Sequence, residues 1–81
     1  MRLVVISAVW CPSCLVMKKV VKQIADKIEV VKYDYDLDEE EVKKYNVGQN
    51  LPVFIFEDNG KEVKRIVGET TYEELMENIP N

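Results

Sequence analysis

Residues 3–24 read LVVISAVWCPSCLVMKKVVKQI, and the reading of this stretch decides the fold. Leu3-Val4-Val5-Ile6 is a short, uninterrupted apolar run rich in β-branched residues, the mark of a strand covered on both faces. Beyond Trp10-Cys11-Pro12 the period changes. Val16, Met17, Val20, Val21, Ile24 and then Ile28 recur at helical spacing, with Lys18, Lys19, Lys22 and Gln23 on the other side. Pro12 suits the first helical position, where its missing N–H leaves no bond unmade. A strand followed by a helix is expected, with Cys11 and Cys14 at the junction.

Working outward, Glu29 to Asp36 (EVVKYDYD) reads as a second strand. Two strands joined by a helix of this length imply a right-handed parallel βαβ unit. Asp36 or Asp38, with Glu39 or Glu41 at the capping-box position, is expected to start a short second helix that ends near Tyr45-Asn46. Residues 47–51 form a loop. Pro52-Val53-Phe54-Ile55-Phe56 reads as a third strand, and Pro52 is confined to its start because it has no donor for the ladder. Asn59-Gly60 is a strong hairpin signal, since both turn residues must accept positive φ. The chain then returns through Lys61 to Val67, whose Lys61, Glu62, Lys64 and Arg65 suit an edge strand. Val63 and Ile66 fall on opposite parities, which points to a bulge. Gly68 ends the strand, Thr70 and Glu73 make a capping box, and Tyr72, Leu75, Met76 and Ile79 follow at helical spacing. The order is βαβαββα. This is an α/β fold with a four-stranded mixed sheet and helices on both faces, its first pair parallel and its last an antiparallel hairpin.

A chain of 81 residues makes one domain, 1–81. With 47% hydrophobic and 32% charged residues it is apolar enough to pack a core and too interrupted by charge to span a membrane. The net charge of -4 argues against nucleic acid, whose counterions are displaced by clustered Lys and Arg. The nearest such cluster, Lys18, Lys19 and Lys22, reads as the solvated face of a helix. Residues 1–8 carry one basic residue and a short apolar run without a cleavage-site pattern, so a secretory leader is not expected and the reducing cytoplasm is. Two cysteines in that setting read as catalytic or metal-binding rather than as a structural staple.

Placement at a strand–helix junction says more than the CxxC spacing alone. Free backbone N–H groups at a helix N-terminus favour an anion. Cys11, at the cap, is expected to receive the N–H groups of Ser13 and Cys14, a setting that lowers a thiol pKa from about 8.5 to roughly 3.5–7.5. Cys14, one turn further on, is expected within disulfide reach, more buried, and with the higher pKa. Cys11 thiolate then attacks a substrate disulfide, and Cys14 resolves the mixed disulfide. Other uses of the pair stay open. A closed zinc site needs four ligands, and two Cys with no His leave only a site shared between copies. Two-coordinate copper(I) is the stronger rival, because thiolates select it; small copper carriers also place CxxC before a helix, but on a βαββαβ order. A purely structural disulfide would close a very small loop and add little. No metal and no cofactor is expected.

Trp10-Cys11-Pro12-Ser13-Cys14, with Pro52 roughly 40 residues beyond, resembles the thioredoxin superfamily in its short thioredoxin-like and glutaredoxin-like forms, and the likeness covers nearly the whole chain. It implies the minimal thioredoxin (glutaredoxin-like) fold and a thiol–disulfide oxidoreductase acting on disulfide-containing proteins. It also implies that the Leu51-Pro52 bond is cis and abuts the cysteines, and that the Leu51 backbone bonds a docked substrate strand. Trp10 then shields the thiolate and faces substrate, with Pro12 and Ser13 completing the active-site turn. Lys32 falls where many thioredoxins have a lysine beneath the active site. The buried aspartate those proteins use as a proton relay maps near Val5, which cannot titrate, so Lys32 becomes a candidate for proton transfer. The N-terminal strand and helix of full thioredoxins have no counterpart, and the length matches glutaredoxins and short thioredoxins.

The electron donor is a reductase of thioredoxin-reductase type or glutathione. Where glutaredoxins hold glutathione, this chain has Asn50-Leu51-Pro52 and Gly68-Glu69-Thr70-Thr71. Leu51 still offers its backbone, and Thr70 or Thr71 a hydroxyl for a carboxylate. Glu69, however, repels an anionic ligand and a second glycine is lacking, so the reading favours a glutathione-poor, thioredoxin-like monomer. Tyr33, Tyr35, Tyr45 and Tyr72 read as packing residues.

Overall fold

The computed structural model describes residues 1–80. Seven elements follow in the order β1 (Arg2–Ser7), α1 (Pro12–Ile24), β2 (Glu29–Asp34), α2 (Glu39–Lys44), β3 (Val53–Asp58), β4 (Lys61–Val67) and α3 (Tyr72–Met76). This is the expected βαβαββα order. The strands lie as β2-β1-β3-β4, with β1 and β2 parallel and the β1–β3 and β3–β4 pairs antiparallel.

β1 and β3 occupy the middle of the sheet, and their apolar runs are buried on both sides. Alternation divides them between two cores. Leu3, Val5, Phe54 and Phe56 face α1 and α3, where they meet Met17, Val21, Ile24 and Leu75. Val4, Ile6, Val53 and Ile55 face the side of α2, together with Val42, Ala8, Leu51, Cys11 and Cys14. The helices therefore cover both faces of the sheet. Tyr33, Tyr35 and Tyr45 pack partly buried against the second core, and Tyr72 against the first, as expected.

Several boundaries differ from the sequence reading. α1 ends at Ile24, and Ile28 packs as a partly buried residue beyond it. β2 stops at Asp34 instead of Asp36, because the Asp34 carboxylate turns the chain: its Oδ1 accepts the N–H groups of Asp36 (2.9 Å) and Leu37 (3.1 Å). Asp38 stands at the N-cap of α2 but makes no capping bond there; its Oδ2 accepts the N–H of Asp34 at 2.7 Å. Charge supports this helix instead, with Glu39, Glu40 and Glu41 in its first turn and Lys43 and Lys44 in its last. α3 is capped by Thr71, not Thr70: the Thr71 hydroxyl accepts the N–H of Glu74 at 3.1 Å, and Thr70 Oγ1 donates to the Glu74 carboxylate at 2.8 Å.

Asn59 (φ 54°) and Gly60 (φ 80°) form the hairpin turn with both residues at positive φ. The expected bulge is present. Phe56 pairs with Lys64 and Glu57 with Glu62, so Val63 is the extra residue and the parity of β4 changes there. Arg65, beyond the bulge, holds Glu62 through two bonds of 2.8 and 2.7 Å and donates at 2.6 Å to the carbonyl of Tyr45, the last residue of the α2 region.

Candidate active site

Cys11 is the N-cap of α1, in extended conformation (φ -94°, ψ 114°), with Pro12 behind it at the start of the helix. Its N–H donates to the Ala8 carbonyl at 3.2 Å, which fixes the turn from β1. The cap orphans the first N–H groups of α1, and the Cys11 sulfur is the acceptor that meets them. Cys14 N–H points at Cys11 Sγ at 3.2 Å. The expected second bond from Ser13 N–H is not formed. No acidic residue lies in the first turn of α1, so nothing within the helix offsets its positive end.

Both thiols are free, and the two residues are equally buried, each 6% exposed; Cys14 is not the more hidden of the two. They differ in surroundings. Burial, followed by the hydrogen bond with Cys11, pushes the Cys14 thiol up to about 11, while a backbone bond at Ala8 works against the rise. Cys11 Sγ instead donates to the Leu51 carbonyl at 3.6 Å. The Leu51-Pro52 bond is cis, and both residues are buried. The Pro52 carbonyl in turn accepts the N–H of Gly68 at 2.7 Å, where φ is +89° and a side chain would be strained. Leu51 and Pro52 are thus brought against the cysteines as the sequence reading expected.

Trp10 is 56% exposed beside the motif, and two residues from the β2–α2 turn hold it. Its Nε1 donates to Asp36 Oδ2 at 2.6 Å, and its ring meets Tyr35 edge-on at 6.0 Å. Ser13 Oγ donates to Glu69 Oε2 at 2.8 Å. Sequence reasoning missed Asp36 and the link between Tyr35 and Trp10, and it gave Glu69 only a repulsive role. The separations of 26 and 56 residues explain this, since no local periodicity links them. An unpaired acid next to an exposed aromatic and an acid after Gly68 were the available signals.

Lys32 lies on β2 as the register partner of Val5 on β1 and is exposed. Both residues, with Ser7, Cys14, Lys18 and Lys22, line a cavity of about 510 Å³ that reaches Pro52. The sequence reading did not bring Lys18 and Lys22 to this place. Among the described residues no cluster of three or more His, Cys, Asp or Glu is able to hold a metal ion, and no helix is long and apolar enough to cross a membrane.

Comparisons with known proteins agree with this geometry. The thioredoxin family model matches residues 1–81. Thioredoxin H2 of Arabidopsis thaliana is 35% identical over 65 residues, covering 76% of this chain and 48% of that protein. The chloroplastic thioredoxin Y of Oryza sativa subsp. japonica is 32% identical over 76 residues, which are 89% of this chain and 45% of the relative. The chain spans about half the length of these curated relatives. The X-ray structure of Fasciola hepatica thioredoxin superposes with a TM-score of 0.80 at 36% identity, covering 94% of this chain and 76% of that one. Cys11 and Cys14 stand in the active-site position of that fold. With its full length matched by the family model and its cysteines at the start of α1, this chain belongs to the thioredoxin family.

Proposed function

We propose that residues 1–81 act as one domain, a dithiol reductant of protein disulfides with Cys11 as the attacking and Cys14 as the resolving thiol. The observation that carries this reading is the position of the Cys11 sulfur, at the cap of α1 with Cys14 N–H at 3.2 Å and the Leu51 carbonyl at 3.6 Å. The N–H is a donor that favours negative charge on sulfur, and a thiolate is the species that attacks disulfides. The carbonyl lies where an extended substrate strand bonds while its disulfide meets Cys11.

In the first step Cys11 thiolate attacks one substrate sulfur, the substrate disulfide breaks, and one substrate thiolate leaves. Cys14 then loses its proton and attacks Cys11 Sγ. A Cys11–Cys14 disulfide forms, the mixed disulfide breaks, and the second substrate thiolate departs. Two electrons pass to the substrate, and an external donor must return them. Trp10, Pro12, Ser13, Leu51 and Pro52 shape the surface that receives the substrate, and Lys32 assists the proton leaving Cys14.

A reductase of thioredoxin-reductase type fits as donor better than glutathione. The Glu69 carboxylate is held beside Ser13, and the Thr70 hydroxyl already donates its proton to the Glu74 carboxylate. An anionic tripeptide thus meets a like charge and finds the Thr70 proton already given to Glu74. The reducing cytoplasm, on the grounds of cysteine usage, and a monomeric state complete the proposal.

Insulin-disulfide reduction with dithiothreitol tests the activity. Wild type is expected to precipitate insulin faster than Cys11→Ser, and equal rates would refute the reading. Parallel reduction of the oxidised protein by a thioredoxin-reductase system and by glutathione identifies the donor. Stoichiometric copper or zinc in protein purified under reducing conditions would instead support thiolate metal binding.

A further inference from the structure

The Cys11 site is bordered by a carboxylate whose charge no described cation pairs with. The Pro52 carbonyl accepts the N–H of Gly68 at 2.7 Å, so the segment that follows β4 runs beside Leu51-Pro52, and its next residue is Glu69. From there Glu69 Oε2 reaches α1, where it accepts the Ser13 hydroxyl at 2.8 Å, two residues beyond Cys11. A neutral hydroxyl orients the carboxylate and leaves its charge intact. Ion pairs among the described residues join the Met1 amine to Asp58, Arg2 to Glu57 and Arg65 to Glu62, and Glu69 is in none of them. Lys18, Lys22 and Lys32 line the cavity around Cys14, of which Glu69 is no part. Glu69 is also exposed, so its charge faces whatever approaches the site.

From this arrangement we infer that Glu69 is a specificity residue, selecting disulfides whose attacked cysteine stands next to a lysine or arginine in the substrate sequence. The inference rests on the proposed disulfide reduction and deepens it. Strand order sets the two sides of the site: Trp10 is held from the turn after β2, Glu69 extends from the end of β4, and Cys11 follows the central β1. A substrate strand bonded to the Leu51 carbonyl, with its sulfur at Cys11, therefore passes beside the Glu69 carboxylate. Extended chain advances about 3.3 Å per residue, so a long side chain on either neighbour of the cysteine reaches that carboxylate. A lysine or arginine there forms a charge-assisted hydrogen bond, and an acid there is repelled. The Ser13 bond holds the carboxylate in place before substrate arrives, which lowers the cost of ordering it. Glu69 takes no part in the exchange of sulfur bonds.

The test follows single turnovers of the reduced protein with peptides that differ only in the residues flanking one cysteine, Lys, Gln or Glu, each peptide joined as a mixed disulfide to mercaptoethanol. Rates are divided by those of dithiothreitol with the same peptides, which removes the effect of flanking charge on the disulfide itself. The preference of wild type for the Lys over the Glu peptide is expected to exceed that of Glu69→Gln by about threefold to tenfold, one exposed attraction gained and one repulsion avoided. Gln keeps an acceptor oxygen for Ser13, so this variant loses the charge and retains the bond. High salt brings the wild-type preference down to that of the variant. Glu29→Gln removes the same charge beside Arg2, at the end of β1 remote from Cys11, and keeps the wild-type preference. Equal preferences in wild type and Glu69→Gln, or an equal fall in Glu29→Gln, would overturn the inference. The same peptides with Ser in place of Cys give a readout without turnover. In an NMR titration followed at the Gly68, Glu69 and Thr70 amides, the Lys peptide is expected to saturate wild type at about threefold to tenfold lower concentration than the Glu peptide, and Glu69→Gln at similar concentrations. Failure of wild type to reduce insulin strikes the proposed function instead, and the titration decides the role of Glu69 independently of it.

Discussion

Trp10 Nε1 and Asp36 Oδ2 are joined by a 2.6 Å hydrogen bond that pins the indole of α1's approach to the turn after β2. The ring is more than half exposed, so burial alone does not fix it; Asp36 and the edge of Tyr35 do. An aromatic surface held this way loses little freedom when a substrate strand settles on it.

Asp36→Ala removes that restraint. Trp10 is the only tryptophan, so its fluorescence anisotropy decay reports the indole directly, and faster local motion is expected. Stability should fall by about 0.5–1.5 kcal/mol, the ordinary net worth of a hydrogen bond. Asp36→Asn, which keeps the acceptor oxygen, should restore slow motion. An indole equally rigid in the Ala variant would show that packing holds Trp10.

Cys14 sets an alkaline limit on stability. Its folded pKa, about 11, lies above the unfolded thiol value, so between those two pH values the native state binds the additional proton. The stabilisation is complete below the unfolded pKa and is lost as pH rises through the folded one. Chemical denaturation of the reduced protein should give midpoints that fall from about pH 9 to pH 11. Lysine and tyrosine titrations are common to both proteins, so a flatter curve for Cys14→Ala isolates the thiol, and superimposable curves would contradict its role.

Glu57 is the buried charged residue among those described, and Arg2 Nε meets its Oε1 at 2.7 Å between neighbouring strands. The Arg2 guanidinium is pushed above its usual value, chiefly by this bond. Glu57→Ala is expected to lower stability by about 1.5–3 kcal/mol, the range for hydrogen bonds to charged groups. Glu57→Gln should cost less, because it keeps an acceptor. Urea denaturation of the three proteins at neutral pH checks the ranking.

The two threonines before α3 separate a cap from a neighbour. Thr71→Ala removes the oxygen that accepts Glu74 N–H and should cost about 1 kcal/mol. Thr70→Ala removes only an exposed hydroxyl–carboxylate contact and should stay within about 0.5 kcal/mol of wild type. Thermal denaturation of both variants decides this, and a larger loss for Thr70→Ala than for Thr71→Ala would return the cap to Thr70.

Much of the fold is legible because its signals are local. The buried run Leu3–Ile6, the helical spacing from Val16 to Ile24, the Asn59-Gly60 turn and the parity change at Val63 each depend on near neighbours in the chain. The missed details are places where two adjacent residues offer the same chemistry. Thr70 and Thr71 carry the same hydroxyl, yet it is Thr71 that accepts an N–H, and of three like carboxylates Asp34 and Asp38 accept backbone N–H groups while Asp36 holds Trp10. Which of them acts depends on where the preceding strand ends.

The cysteine pair is similar in this respect. Sequence alone placed Cys11 and Cys14 at the start of a helix, because Pro12 and the change of hydrophobic period mark that junction. Only the tertiary structure decided what surrounds the two sulfurs. The order β2-β1-β3-β4 sets Val5 beside Lys32 and carries Leu51-Pro52 to Cys11, and the packing of α1 brings Lys18 and Lys22 to the Cys14 cavity. These contacts join segments distant in the chain, and strand order and helix packing, which no local pattern encodes, bring them together.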